Sequence, residues 1–254
     1  MKILAIFSHP DDETLFCGGT IARHVGNGDE IIWICGGLGE RSGNSAKRYS
    51  KLFYVAHLIL GSFLFLTIMQ KMAVWWRSVF TKKNFKLAEN RKTEALNVAK
   101  ILGISKVVFL EIEDMKFGKF FEKMTREIKK YIVTHEPGII YTFHPNGLTG
   151  HPDHMALSRA VIAATESVKN CTYPKIYAAA ISKENAKKFK LPLLGVKKGK
   201  INLAVSLNEN EMTKKKEAIK AYKSQSYIWK IFLEKNSEIL KTEYFMRMDL
   251  YSRE

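Results

Sequence analysis

Cysteine, proline and acidic residues are all scarce in this chain, and each shortage removes a class of protein. Cys17, Cys35 and Cys171 are its only cysteines among 254 residues, widely spaced and with no CxxC pair. That excludes a disulfide framework and a cysteine-built zinc site; reduced thiols in a cytoplasmic protein are the simplest account. Six prolines and sixteen glycines are too few for a fibrous or disordered chain. Acidic residues number 25 against 41 Lys and Arg, a formal net charge of +16. A balance that basic suits acidic partners such as anionic lipid, a phosphorylated substrate or nucleic acid. Seven of the lysines fall between Lys183 and Lys200 beside one acidic residue, Glu184, a pattern that a solvated surface segment explains equally well. No secretory leader is evident, because Met1-Lys2 runs directly into the short apolar stretch Ile3 to Phe7, with no cleavage site. A Gly-x-Gly-x-x-Gly loop is also missing. The first loop reads His-Pro-Asp-Asp-Glu, whose carboxylates would repel phosphate, which argues against a nucleotide- or nucleic-acid-binding Rossmann protein.

What is present is a core. With 46% hydrophobic residues, the chain is long enough for one large α/β domain over residues 1–254. Lys2 to Phe7 reads as a buried strand, the segment from Pro10 through Ala22 as a helix stopping near Gly26-Asn27-Gly28, and Glu30 to Cys35 as a second strand. This is the opening of a βαβ unit. The alternation resumes with a helix over Phe85 to Leu102 and a strand over Lys106 to Leu110. A helix over Phe120 to Thr134, a strand over Gly138 to Phe143 and a helix over His154 to Val168 come next. Strands at Ile176 to Ile181 and Ile201 to Val205 and a basic helix over Asn210 to Ser224 complete the pattern. The fold class is therefore α/β, a doubly wound, Rossmann-like and mostly parallel sheet flanked by helices, with ligands beyond the carboxyl ends of the strands.

One segment departs from it. Residues 52–69 read LFYVAHLILGSFLFLTIM, with Lys47, Arg48 and Lys51 before them and Trp75-Trp76, Lys71 and Arg77 after. The run sits at the short edge of the ~17–25 residues a membrane span needs. Both of its flanks must return to one sheet, so a helical insertion at about residues 49–80 fits better than a span. Three readings stand: peripheral contact with an anionic membrane through residues 52–80, an apolar contact between subunits of a homo-oligomer, or a helix packed over the core.

Two clusters carry the chemistry. His9-Pro10-Asp11-Asp12-Glu13 follows the first strand, and His151-Pro152-Asp153-His154 follows the strand ending at Phe143. Parallel strands bring both loops to one rim, where His9, Asp12, His151 and His154 converge as potential ligands or bases. A catalytic zinc takes three protein ligands and keeps one position open. Asp11 is placed to act as general base, and a protonated His151, oriented by Asp153, to stabilise charge on an amide oxygen.

The segments SHPDDETLFCGGTIARHVGNG and GLTGHPDHMALSRAV resemble the LmbE-like or PIG-L family of zinc-dependent N-acetylglucosamine de-N-acetylases. The resemblance implies His9, Asp12 and His154 as the zinc ligands, with Fe²⁺ or Co²⁺ able to use the same set. It implies Asp11 as general base, and His151 with Asp153 as the pair that stabilises the reacting oxygen. It also implies Arg91 as a substrate-contacting arginine. The expected substrate is an amino sugar, lipid-linked or phosphorylated if the apolar insertion lies at the entrance, otherwise a soluble sugar conjugate of the thiol-precursor or chitobiose type. The expected location is cytoplasmic, and peripheral at the membrane surface in the case where the apolar run meets lipid. Two departures stand out: Thr149 where many members have an aromatic residue, and Tyr222 where histidine is usual.

Overall fold

Strands β1 (Lys2–Phe7) and β2 (Glu30–Cys35) are buried from their second residue onward, as a strand covered on both faces must be. The computed structural model describes residues 1–41, 83–168, 174–188, 193–226, 230, 233 and 239–248. Among these, β1 and β2 join β3 (Lys106–Phe109), β4 (Ile139–Phe143), β5 (Lys175–Ala179), β6 (Leu203–Ser206) and β7 (Thr242–Met248) in a seven-stranded sheet of order β3-β2-β1-β4-β5-β7-β6. The pairs from β3 through β5 are parallel, and β7 runs antiparallel between β5 and β6. In register, Phe7 lies opposite Cys35, and Ala5 opposite Tyr141. The carboxyl ends of β1, β2 and β4 therefore share one rim.

Side-chain alternation splits the core between the two faces of the sheet. Ile3, Ala5 and Phe7, with Ile31, Trp33 and Cys35, pack on the face covered by α1 (Asp12–Gly26), α2 (Phe85–Leu102) and, further along, α6 (Glu209–Ala221). Leu4, Ile6, Ile32 and Ile34 pack on the other face, under α3 (Phe121–His135) and α4 (Pro152–Glu166). Local chemistry sets the helix ends. Asn84 caps α2 by accepting the Leu87 N–H at 3.0 Å, and Gly103 ends it at φ 79° in the left-handed region. Helix α6 opens with a capping box between Asn208 and Glu211. A short α5 (Lys183–Lys188) follows β5.

The expected α/β architecture is present, with element boundaries shifted by up to three residues and one added strand. Helix α4 starts at Pro152 rather than His154, because proline suits the first helical turn and His151 serves as its N-cap. The last two expected strands begin and end up to two residues away from their sequence-based limits. Strand β7 was not expected at all. It carries Glu243, a residue that reads as surface but is buried in an ion pair with Lys215 at 2.5 Å, their side chains 2% and 1% exposed. Glu243 also accepts the Gly19 N–H, the Thr20 N–H and the Thr20 hydroxyl, which tie β7 to α1. The apolar run 52–69, the whole insertion at about residues 49–80 and Cys171 lie outside the described residues. Among the described residues, no helix is long and apolar enough to cross a membrane. Cys17 and Cys35 are buried free thiols.

Removing one partner of a buried ion pair strands the other charge, at a cost of about 3–5 kcal/mol. Lys215→Ala should fall at the low end of that range, since three donors remain on Glu243. Urea denaturation is the measurement, and the double variant Lys215→Met, Glu243→Gln should lose less than Lys215→Ala alone.

Candidate metal centre

The centre is built where β1 stops. Past Phe7 the chain turns through Ser8, His9 and Pro10 into α1, and the His9 N–H donates to Asp12 Oδ2 at 2.9 Å. That oxygen also lies 3.5 Å from His9 Nδ1 and 3.4 Å from His154 Nε2. His154 comes from the first turn of α4, beyond β4, and its ring stacks on Phe143 at 4.1 Å between centroids. Its Nδ1 is 3.0 Å from the Gly147 carbonyl, an acceptor, so Nδ1 carries the proton and Nε2 presents a lone pair. One donor atom from each of His9, Asp12 and His154 falls within a cluster no wider than 4.8 Å, and all three residues are buried. A tetrahedral ion with bonds of ~2.0–2.1 Å sets neighbouring donor atoms roughly 3.3–3.4 Å apart. The two measured edges through Asp12 Oδ2 match that spacing, so the donor set fits a zinc-like ion in both chemistry and size.

Asp11 stays off this cluster. Its backbone is at φ 110°, ψ −33°, a region that L-residues rarely adopt, at a cost on the order of 1–3 kcal/mol. Two neighbours over-determine it. Glu13 Oε2 accepts the Asp11 N–H at 3.2 Å, and the Arg91 guanidinium donates to the Pro10 carbonyl while lying 3.3 Å from Asp11 Oδ2. Glu13 is anchored in turn, its Oε1 accepting the Tyr222 hydroxyl at 2.6 Å and the Thr14 hydroxyl. Burial pushes the Asp11 carboxyl up to about 7 against the pull of Arg91, and pushes Glu13 up to about 8. Burial also works upward on Asp12, but His154 and His9 outweigh it and hold that carboxyl at about 2. Asp12 is thus an anion at neutral pH, as a ligand must be.

The remaining expected residues gather around the same point. The His151 ring lies 5.3 Å from His9 and 4.9 Å from His154. Its Nδ1 accepts the Asp153 N–H at 3.2 Å, which leaves Nε2 to carry the proton of the neutral ring. Asp153 Oδ2 is 3.9 Å from His151 Nδ1 but 3.3 Å from His9 Nε2, so it braces His9 more closely than His151. Arg91, expected to reach toward substrate, is 2% exposed and braced on Pro10, Gly39 and Asp11. Thr149 Oγ1 lies 3.4 Å from His154 Nδ1. Three participants had no place in the sequence reading: the Glu13–Tyr222 contact, the backbone strain at Asp11, and Asp114, whose Oδ1 is 3.5 Å from His9 Nε2. Asp114 had a legible signal, a carboxylate just past the carboxyl end of a strand of the same sheet.

Comparison with known proteins bears on the family and the fold. The family described as "PIG-L: GlcNAc-PI de-N-acetylase" matches residues 4–165. A Bacillus cereus protein named as a probable N-acetyl-alpha-D-glucosaminyl L-malate deacetylase is 28% identical over 189 residues, covering 71% of this chain and 68% of the relative. A 1D-myo-inositol 2-acetamido-2-deoxy-alpha-D-glucopyranoside deacetylase from Rhodococcus jostii is 25% identical over 68% of this chain, which spans only 56% of that relative's length. Among solved structures, N,N'-diacetylchitobiose deacetylase from Pyrococcus horikoshii superposes with TM-score 0.62 at 18% identity, over 98% of this chain and 84% of that one. A 4-carboxy-2-hydroxymuconate hydratase from Pseudomonas putida superposes with TM-score 0.64 at 17% identity, over 98% and 97%. These likenesses establish the fold, and a hydratase among them means that fold alone does not select the reaction.

Asp12→Ala removes the oxygen that His9 and His154 share. After gel filtration, the variant should retain less than about one-tenth of the wild-type metal content by elemental analysis, since one of three ligands is gone. Wild-type metal content in Asp12→Ala would contradict this assignment.

Proposed function

Because the chain belongs to the PIG-L family of GlcNAc-PI de-N-acetylases, we propose that it hydrolyses the N-acetyl group of an N-acetylglucosamine-type amino sugar. In this reading a divalent metal is held by His9, Asp12 and His154. The observation that carries the proposal is the pairing of that ligand-sized trio with a neighbouring carboxylate, Asp11, that takes no part in it. Two imidazoles and a carboxylate are a typical catalytic zinc set, and Fe²⁺ and Co²⁺ accept the same donors. When bound, such an ion is a Lewis acid that acidifies water and polarises the acetyl carbonyl.

The protein residues divide the rest of the work. Asp11 accepts the proton of the attacking water, its carboxylate aimed by Arg91 and its backbone held by Glu13. His151 donates from Nε2 to the carbonyl oxygen as charge grows there, with Nδ1 fixed by the Asp153 N–H. Asp153 keeps His9 and His151 in register. As the C–N bond breaks, the proton taken by Asp11 passes to the leaving nitrogen, and the products are acetate and a free amine.

The carrier of the sugar is read from charge. Lys183, Lys187, Lys188, Lys197, Lys198 and Lys200 are exposed on the chain that follows the carboxyl end of β5. Leu194, between them, donates its N–H to the Leu148 carbonyl at 2.6 Å and accepts from Asn146 Nδ2 at 3.1 Å. The lysine-bearing segment is thereby pinned to the loop that supports His154. A basic rim there favours an acidic aglycone, phosphorylated or lipid-linked. The apolar run 52–69 supports the lipid-linked form, with peripheral membrane contact through 52–80, and the names of the relatives support a soluble conjugate.

Amine release from a panel of neutral, acidic and lipid-linked N-acetylglucosaminides is the test. Wild type should turn over at least one, lose activity on metal stripping and regain it with zinc. Asp11→Ala should lower kcat by about 10²–10⁴-fold. Lys197→Glu with Lys198→Glu should raise KM for acidic conjugates and leave kcat in place. Activity should also fall with decreasing pH as Asp11 is protonated, with an acid limb of kcat/KM at or below its buried value of about 7. Activity that survives metal stripping or Asp11→Ala would overturn the proposal.

A further inference from the structure

His9 is contacted on both ring nitrogens, and the two sides differ in kind. Nδ1 faces Asp12 and the metal position. Nε2 faces two buried carboxylates, Asp153 Oδ2 at 3.3 Å and Asp114 Oδ1 at 3.5 Å. These carboxylates are themselves fixed by backbone donors. Asp153 Oδ2 accepts the Met115 N–H at 2.7 Å, and its Oδ1 accepts the Phe117 N–H at 3.3 Å. Asp114 Oδ2 accepts the Arg41 N–H at 3.1 Å, and the Asp114 N–H donates to Glu40 Oε1 at 3.0 Å.

Glu40 and Arg41 are the last described residues before 42–82, and Lys83 and Asn84 are the first after it. The two flanks meet on one loop. The Asn84 N–H donates to the Glu40 carbonyl at 3.1 Å, and the Arg41 and Lys83 side chains both reach Glu113 at 2.8 Å. Glu113 is the neighbour of Asp114. The described residues on either side of 42–82 are thus linked, through Glu113 and Asp114, to the outer edge of a metal-facing histidine.

We propose that Asp114 is a positioning residue for His9, and that through it Glu40 and Arg41 set the affinity of the metal centre. This rests on the metal-site reading above. A ligating imidazole needs its other nitrogen held, because that bond fixes the tautomer, orients the ring and raises its basicity as a ligand. Two carboxylates from different loops provide the hold here, one from α4 and one from the loop beyond β3. The Asp153 carboxylate is held by the Met115 and Phe117 N–H groups, just after Asp114 in the chain, whereas Asp114 itself is anchored on Glu40 and Arg41. A perturbation at Glu40 or Arg41 therefore reaches His9 through Asp114, the carboxylate they contact directly.

The alternative use of the same atoms, a second ion on His9, Asp114 and Asp153, is geometrically available. It would require His9 to bridge two ions as an imidazolate while Asp153 and Asp114 still accept backbone N–H groups. The braced, singly liganded His9 makes no such demand.

The experiment measures zinc affinity by competition with a chromogenic chelator, zinc stoichiometry, and the visible spectrum of the Co²⁺-loaded protein. Thermal unfolding of each metal-free variant is followed in parallel. Asp114→Asn should weaken zinc binding about 10–100-fold and alter the Co²⁺ bands, the range found when such outer partners of a metal-bound histidine are lost. Asp114→Ala, with no acceptor left, should weaken it further. Glu40→Ala, which frees the Asp114 loop without touching His9, should weaken it in the same direction by less. Glu111→Gln, a control in the same loop with a 60% exposed side chain paired to Lys92, should leave zinc affinity unchanged. Unchanged affinity in Asp114→Asn and Asp114→Ala, with stability alone reduced, would make Asp114 a loop staple and overturn the inference. Two zinc ions in the wild type, one of them lost in Asp114→Asn, would also overturn it. Wild-type protein that binds no zinc would overturn the metal centre itself, an outcome distinguishable from the other two.

Discussion

Oδ2 of Asp12 stands between two imidazole nitrogens at 3.5 Å and 3.4 Å, and most of the surrounding structure serves to keep it there. A carboxylate and two histidines with little access to water are costly to bury unless their charges and hydrogen bonds are matched. The sheet makes the burial feasible by ending two parallel strands, β1 and β4, at the same rim. The helices that follow then supply the groups in fixed directions. Asp12 opens α1 and His154 lies in the first turn of α4, so both are on rigid elements rather than on free loops.

Around this oxygen the residues fall into two supporting systems. One holds Asp11: Glu13, Tyr222 and Arg91 maintain a backbone conformation that would otherwise relax, and leave the Asp11 carboxylate beside the trio rather than in it. The other holds His9 from behind through Asp153 and Asp114. Tyr222 follows α6 and Arg91 lies on α2, far from the motif in sequence. The C-terminal part of the chain is therefore structurally tied to the first loop, as is the buried Lys215–Glu243 pair that joins α6, β7 and α1.

The strand–helix alternation and both His-Pro-Asp clusters were legible because each depends on local signals: apolar periodicity, proline at a helix start, and ligand types at strand ends. Strand β7 was not, because its inward-facing Glu243 is neutralised by a lysine 28 positions away, a compensation that periodicity cannot register. The family resemblance implies a substrate-contacting role for Arg91 and carries no information on the protein groups that hold it. The direction of Arg91 follows from the Pro10 and Gly39 carbonyls to which it donates, and their positions depend on how two loops cross. Asp114 and Tyr222 enter the centre by the same route, through contacts made only after the sheet has formed.

In the proposed centre a nitrogen-and-oxygen donor set, His9, Asp12 and His154, binds one ion at this rim. X-ray absorption at the zinc edge of the purified, zinc-loaded protein tests it most directly. The expected spectrum shows a first shell of nitrogen and oxygen alone at ~2.0–2.1 Å, with the outer scattering of two imidazoles. Sulfur scattering at ~2.3 Å, or a shell without imidazole, would contradict it.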